Sequence, residues 1–392
     1  MQPCPQCGEP LPPGGGYVTW CDACDWNVDP SPRAAPTTRR GRREQARVRR
    51  DLERTLDHFT GVSPLSPGDR VAMAIPVLIA LVILGATLLV FLLGVAAIVT
   101  APWFLGIPFG GALIALAVVL RPRLGRLPRR GVILRRADAP ELYRLLDEIC
   151  VAADSKPIDV VIPVGEFNAA AGKVGIRRRR VMWIGIPLWL ALDPQPRVAV
   201  LGHEIGHFVN NDSRRGLLVG TSIATLTQCA DACELEPSPE YHGGFITQSV
   251  DLVLALFGLA LRAVLRVQLR LTLRSHRVAE HTADELGAQI ASTSAAIEAL
   301  DQLSLEESCM RALGRAMTST RDAVATWRAE LPAREHERLR RLGRMKLACA
   351  DESHPPTAYR IDALQAVPHE TPRVTLDEDR AQRIDMELLG GA

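Results

Sequence analysis

Residues 71–100, "VAMAIPVLIALVILGATLLVFLLGVAAIVT", run for thirty positions without one charge. About 20 apolar residues suffice to cross the hydrocarbon core of a bilayer as a helix. A soluble domain rarely buries a helix this long and this uniformly apolar, so the segment predicts a transmembrane span. A second uncharged run, "WFLGIPFGGALIALAVVL" (103–120), follows after a short turn. Arg121, Arg123, Arg126, Arg129 and Arg130 come directly after it, and arginines crowd the stretch before the first run. The turn around Ala101-Pro102 has no cation. Positive residues mark cytoplasmic flanks, which predicts a transmembrane helical hairpin with both ends cytoplasmic.

The 392-residue chain has room for two or three domains. Its net charge of +2 hides the local asymmetry around the apolar runs. The first 30 residues hold cysteines, prolines and acids where a signal peptide needs an apolar stretch, so no cleavable signal is expected. Four of nine cysteines form two Cys-x-x-Cys pairs there: Cys4 with Cys7, and Cys21 with Cys24, thirteen residues apart. Each pair presents two thiolates from one turn, and together they predict a closed four-sulfur zinc ribbon. So small a module has too little core without its metal. What the ribbon binds is not legible. The other cysteines lack framework spacing and read as reduced thiols. A linker (30–40) leads into "RRGRREQARVRRDLERTLDHF" (39–59), basic and helical in period. Its place before the first apolar run suits contact with anionic lipid, and a solvated basic helix fits equally.

From Ala139 the chain turns soluble. "PELYRLLDEICVAAD" (140–154) has helical spacing, while "IDVVIP" (158–163) and "VMWIGIP" (181–187) read as strands. "NAAAGKVGIRRRR" between them suits a hairpin edge, and helices dominate from Pro196 onward. The segment 216–265 stays open between a second membrane hairpin and amphipathic helices lying on the soluble domain.

The chemistry centres on "VLGHEIGHFV" (200–209). His203 and His207 are four residues apart, so on a helix both imidazoles leave one face and can share a metal. Glu204 then lies beside the metal, placed to activate its water. Downstream, "SHRVAEHTADELGAQI" (275–290) carries Glu280 and Asp284 at i, i+4. One carboxylate can complete a three-ligand catalytic site, and the other can hold a ligand imidazole in its tautomer.

"LGHEIGHF", "AEHTAD" and "SHPPTAYRI" (353–361), in this order, resemble the HtpX and CAAX prenyl protease family of membrane-associated zinc endopeptidases. The resemblance covers about 139–365 and adds "EFNAAA" (166–171). It implies a gluzincin domain in which Glu280 is the third zinc ligand. It implies too that Asn168, with Ala169 and Ala170, lies on an edge strand that binds extended substrate by strand addition. His354 becomes the donor to the tetrahedral intermediate, and Arg360 supports the site through carboxylates, as does Asp284. Where relatives carry another histidine after the first zinc helix, this chain has "NND" (210–212), and Asp212 is assigned nothing. His58, His242, His281, His336 and His369 are expected to be structural.

The expected protein is an α+β membrane protein: a mostly helical gluzincin metallopeptidase domain (137–392) with a small β-sheet. A Cys4 zinc ribbon (1–30), a linker and basic juxtamembrane helix (31–70) and two transmembrane helices (71–121) precede that domain. It would be a multi-pass cell-membrane zinc endopeptidase with Glu204 as general base, its ribbon and active site facing the cytoplasm. Two zinc ions are expected, one catalytic and one structural. Partners are a polypeptide substrate and the lipid bilayer, with no nucleic acid; HtpX-like members suggest misfolded membrane proteins as substrates. CAAX processing fits less well, because that branch has many more spans. The alternative is a catalytically silent scaffold whose ribbon does the work; the complete set His203, Glu204, His207 and Glu280 argues against it.

Overall fold

The computed structural model describes residues 2–12, 16–30, 50, 67–120, 132–175, 177–209, 212–233, 245–316, 319–345 and 357–390. The chain forms two compact units. One comprises 1–64, 126–210 and 277–392, and the other 65–125 and 211–276.

The second of these units is built on α1 (Pro67–Thr100) and α2 (Trp103–Leu120). Among the described residues these two helices are long and apolar enough to cross a membrane, over Ala74–Thr100 and Trp103–Leu120. Their outer faces are bare hydrocarbon: Leu78, Val99, Trp103 and Phe109 are all more than half exposed. Their shared face is lined with glycine. A Cβ on Gly110 would lie 2.5 Å from the Gly94 carbonyl oxygen, and one on Gly94 would lie 2.9 Å from that of Gly110. Small residues let two apolar helices approach backbone to backbone, where dispersion replaces the missing hydrophobic drive. Helix α6 (Asp212–Ala232) packs on α1, and the first part of α7 (Phe245–Ala291) belongs to this unit as well. Buried Gln268 of α7 donates to buried Ser222 of α6, and Thr225 donates to the Leu120 carbonyl at 3.1 Å. The segment 216–265 is thus largely helical.

The other unit starts with a two-strand ribbon, β1 (Gln2–Pro3) and β2 (Pro10–Leu11). Its larger part opens on α3 (Pro140–Ala152), which has proline in its first turn and buries Leu142, Tyr143, Leu145, Leu146, Ile149 and Cys150 along one stripe. The Tyr143 hydroxyl donates to the Leu134 carbonyl (2.8 Å) and accepts from the Val161 amide (3.0 Å), tying the helix to the sheet. That sheet has three strands, β3 (Val160–Val164), β4 (Ala169–Val174) and β5 (Arg179–Gly185), in the order β3-β5-β4. β5 runs parallel to β3 and antiparallel to β4, in the register Ala169 to Ile184 and Ala170 to Trp183. β4 is therefore an edge strand. Gly185 is obligatory at its mouth, since a Cβ there would sit 2.2 Å from the Asn168 carbonyl oxygen.

Helices fill the remainder: α4 (Ile186–Ala191), α5 (Pro194–Val209), the end of α7, α8 (Thr293–Leu303), α9 (Glu306–Leu313), α10 (Thr320–Glu330), α11 (Ala333–Met345), α12 (Thr357–Ala366) and α13 (Glu378–Gly390). Helix α5 is wedged against α3, β4 and α8. Asp385 of α13 fixes its start, accepting from Arg197 at 2.8 Å and from the Trp189 indole at 2.7 Å.

Candidate active site

Two helices make the site by crossing at glycine. On α5, Gly202 and Gly206 each precede a histidine; on α7, Ala283 and Gly287 lie opposite them. A Cβ on Gly206 would come within 3.0 Å of the Ala283 Cα, and one on Gly287 within 2.8 Å of the Ala199 carbonyl oxygen. The backbones therefore touch, and the side chains beside the glycines meet.

His203 Nε2 and His207 Nε2 lie 3.2 Å apart. Glu280 closes the triangle, with one carboxylate oxygen 3.7 Å from His203 Nε2 and the other 3.4 Å from His207 Nε2. Tetrahedral zinc with N and O ligands at about 2.0–2.2 Å sets neighbouring donor atoms about 3.3–3.6 Å apart. The three donors match that spacing, so the residues fit the ion. Donor atoms of His203, Glu204 and His207 also lie within 4.8 Å of one another. Glu204 thus borders the same point while Glu280 occupies the third corner.

Behind these three donors sits a buried ionic chain. An Asp284 carboxylate oxygen lies 2.8 Å from His203 Nδ1, on the opposite side of the ring from Nε2 and the metal position. Arg360 grips Asp284 with two bonds, Nε to Oδ2 at 2.7 Å and Nη2 to Oδ1 at 2.6 Å, and reaches Glu280 at 3.8 Å. Burial pushes the Asp284 carboxyl up, but Arg360 and then His203 outweigh it and hold it well below the usual carboxylate range. Burial likewise works against charge on Arg360, and Asp284, Glu280 and Glu204 overcome it. The charge state is fixed by mutual pairing of buried groups. His281, next along from Glu280, is buried, and burial depresses its pKa to about 4. It is a neutral core imidazole.

The site opens on a cleft of about 1740 Å³ lined by His203, Glu204, Asn168, Ala169, Thr357 and Arg360 among others. Asn168 Oδ1 accepts from its neighbour's amide, and its carbonyl accepts from the Gly185 amide at 2.8 Å, so the turn into β4 is fixed. Ala170 is exposed on the same edge strand. His354, the expected oxyanion donor, lies outside the described residues. Sequence reasoning missed the glycine crossing, whereas the support through carboxylates expected of Arg360 takes the form of a bidentate grip on Asp284. The crossing had a signal in the paired four-residue spacing of Gly202 with Gly206 and of Ala283 with Gly287.

The N-terminal cysteines converge too. Cys4 and Cys24 Sγ are 3.7 Å apart, and Cys7 and Cys21 Sγ 3.5 Å. Zinc with four sulfurs at about 2.3 Å needs edges of about 3.8 Å, so this set fits as well. The two knuckles repeat one geometry: the Cys4 amide donates to the Glu9 carbonyl and the Cys21 amide to that of Trp26. Gly8 and Asp25, each after the second cysteine of its pair, adopt left-handed φ of 80° and 58°.

The profile of Peptidase family M48 matches residues 137–367. A "Protease HtpX homolog" of Syntrophobacter fumaroxidans is 30% identical over 165 residues, 41% of this chain. The match spans 56% of that relative's length. No solved structure matches the chain. With the profile covering more than half of the chain and ending on the segment that supplies Arg360, the protein belongs to peptidase family M48, a family of metallopeptidases.

Proposed function

We propose that the protein is a membrane-anchored zinc endopeptidase, with His203, His207 and Glu280 as zinc ligands and Glu204 as general base. The observation that carries this is the donor triangle of 3.2, 3.4 and 3.7 Å beside a fourth, carboxylate-bearing residue that faces a cleft. Three protein ligands leave one position for water or substrate, as hydrolytic zinc sites require. When bound, zinc supplies Lewis acidity that polarises the scissile carbonyl and acidifies water.

The chain's own residues do the rest. Glu204 takes the proton of the attacking water and returns it to the leaving amine. Asp284 holds the His203 tautomer, and Arg360 holds Asp284. The substrate is a polypeptide in extended form, laid along the free edge of β4 beside Asn168, Ala169 and Ala170. Asn168, Ala169 and Ala170 bring neither charge nor proline to the start of that edge, and the strand's charged residue, Lys173, comes near its end. His354 is assigned the oxyanion on the family resemblance. The apolar hairpin of α1 and α2 would anchor the chain, with the flanking arginines, the ribbon and the cleft on the cytoplasmic side. Unfolded membrane proteins are the substrate class that setting favours.

Purified full-length protein, incubated with an unfolded polypeptide, should cut internal bonds. A chelator should stop the cleavage and added zinc restore it. Intact substrate in the presence of zinc-loaded protein would overturn the reading.

A further inference from the structure

The ribbon docks on a helix that walls the cleft, and the contact is specific. Trp20, 1% exposed, lies between two guanidiniums of α11: Arg334 is 4.7 Å and Arg341 5.0 Å from its ring centre. Stacking of this kind suits arginine, whose planar, weakly hydrated cation packs on an aromatic face. The same side chains reach the ribbon backbone. Arg334 donates to the Trp20 carbonyl at 2.6 Å, Arg341 to that of Asp22 at 2.7 Å, and buried Arg338 to that of Val28 at 2.7 Å. Arg341 also pairs with Asp25 at 2.8 Å.

Helix α11 is itself fastened to the peptidase core. Arg340 and Arg344 both bind Asp301 of α8, whose side chain is buried. Gly343 passes so close to Ser304 that a Cβ would lie 2.1 Å from its hydroxyl oxygen. Through this helix the ribbon joins the site: Tyr17, Asp29 and Pro30 line the same cleft as His203, Glu204 and Arg338.

Trp20 immediately precedes Cys21, and the carbonyls of Trp20, Asp22 and Val28 are presented by the knuckle that Cys21 and Cys24 define. A ribbon this small does not hold its fold without its ion. We propose that the Cys4 ribbon is a metal-dependent wall of the peptidase cleft: with its four cysteines loaded it clamps onto α11 through Trp20 and completes the surface that grips extended polypeptide. The ribbon's partner is then this chain's own helix, and metal state at the cysteines controls substrate grip at a site with which it shares no ligand. This rests on the peptidase reading for the identity of the cleft's occupant, but not for the docking itself.

The test uses the full chain in detergent, all variants carrying Glu204→Gln so that binding is read without turnover. Trp20→Ala should keep two zinc ions per chain yet raise amide exchange across 333–345 at least tenfold, since the segment loses its cover. It should also weaken binding of a fluorescent unfolded polypeptide by about five- to tenfold. Cys21→Ser should do the same with one zinc left. Arg341→Glu should undock the ribbon too, because it removes the stack on Trp20 and the donor to the Asp22 carbonyl and sets a second acid beside Asp25. Unchanged exchange in Trp20→Ala and Cys21→Ser would overturn the docking. Raised exchange with unchanged affinity would overturn the role in substrate grip. Failure of the wild-type chain to cleave any polypeptide would count against the peptidase reading alone, because neither readout uses catalysis.

Discussion

The two candidate metal sets use opposite strategies. In the ribbon, four cysteines come from one stretch of 21 residues (4–24) as two equivalent knuckles, and the backbone turns that hold them are local. In the cleft, two candidate ligands come from α5 and the third from α7, 73 positions beyond His207. Only the crossing of Gly202 and Gly206 against Ala283 and Gly287 brings them together. The first set is closed by four sulfurs; the second has three corners and faces a cleft. A local set is expected to depend on its ion for its fold, whereas a set made by tertiary packing is expected to keep its place without it.

Removing a ligand from each set should expose that difference most strongly. Cys21→Ser and Glu280→Ala should each lower bound zinc from two per chain to one. In Cys21→Ser the ribbon should unfold with its metal, since structural zinc supplies about 10–16 kcal/mol to such modules. In Glu280→Ala the helices should stay intact by circular dichroism. Equal structural loss in both variants would erase the distinction.

The next effect in size concerns what pre-forms the cleft set. Arg360→Leu strands the Asp284 carboxylate in a buried site, and breaking a buried pair from one side costs about 3–5 kcal/mol. Thermal unfolding of the peptidase unit should move down accordingly, with the ribbon's metal retained. An unshifted transition would show that the pair does not hold the site.

A smaller loss is expected at the crossing. Gly287→Val puts a branched side chain where even a Cβ lies 2.8 Å from the Ala199 carbonyl oxygen and 3.2 Å from the His203 amide. Overpacking of this kind costs about 1–3 kcal/mol. Zinc titration should show weaker binding in the cleft and unchanged binding in the ribbon. Gly111→Val, where a Cβ meets nothing within 4 Å, is the control.

Much of this was readable in the chain because the signals are short-range. The i, i+4 spacing put His203 with His207, and Glu280 with Asp284, on single helix faces. The Cys-x-x-Cys pairs marked the four cysteines that converge, and β-branched runs marked β3 and β5, with β4 between them as the edge. Long-range information was hidden. Nothing near Trp20 tells that its partners are 314 to 321 positions away, because arginine-rich helices look alike whether solvated or docked. Period alone also left 216–265 open, since an apolar face that meets another helix and one that meets lipid have the same pattern. The extent of α7 was illegible for a related reason: its start lies among apolar residues and its end among the ligands, with no proline or glycine cap between.

The central claim is that Glu204 serves the water and not the metal. Its most direct test is Glu204→Gln in otherwise intact protein, assayed on an unfolded polypeptide with zinc counted in the same sample. The account predicts two zinc ions per chain, an unchanged fold, unimpaired substrate binding and no detectable cleavage. Retained cleavage with both zinc ions bound would contradict it.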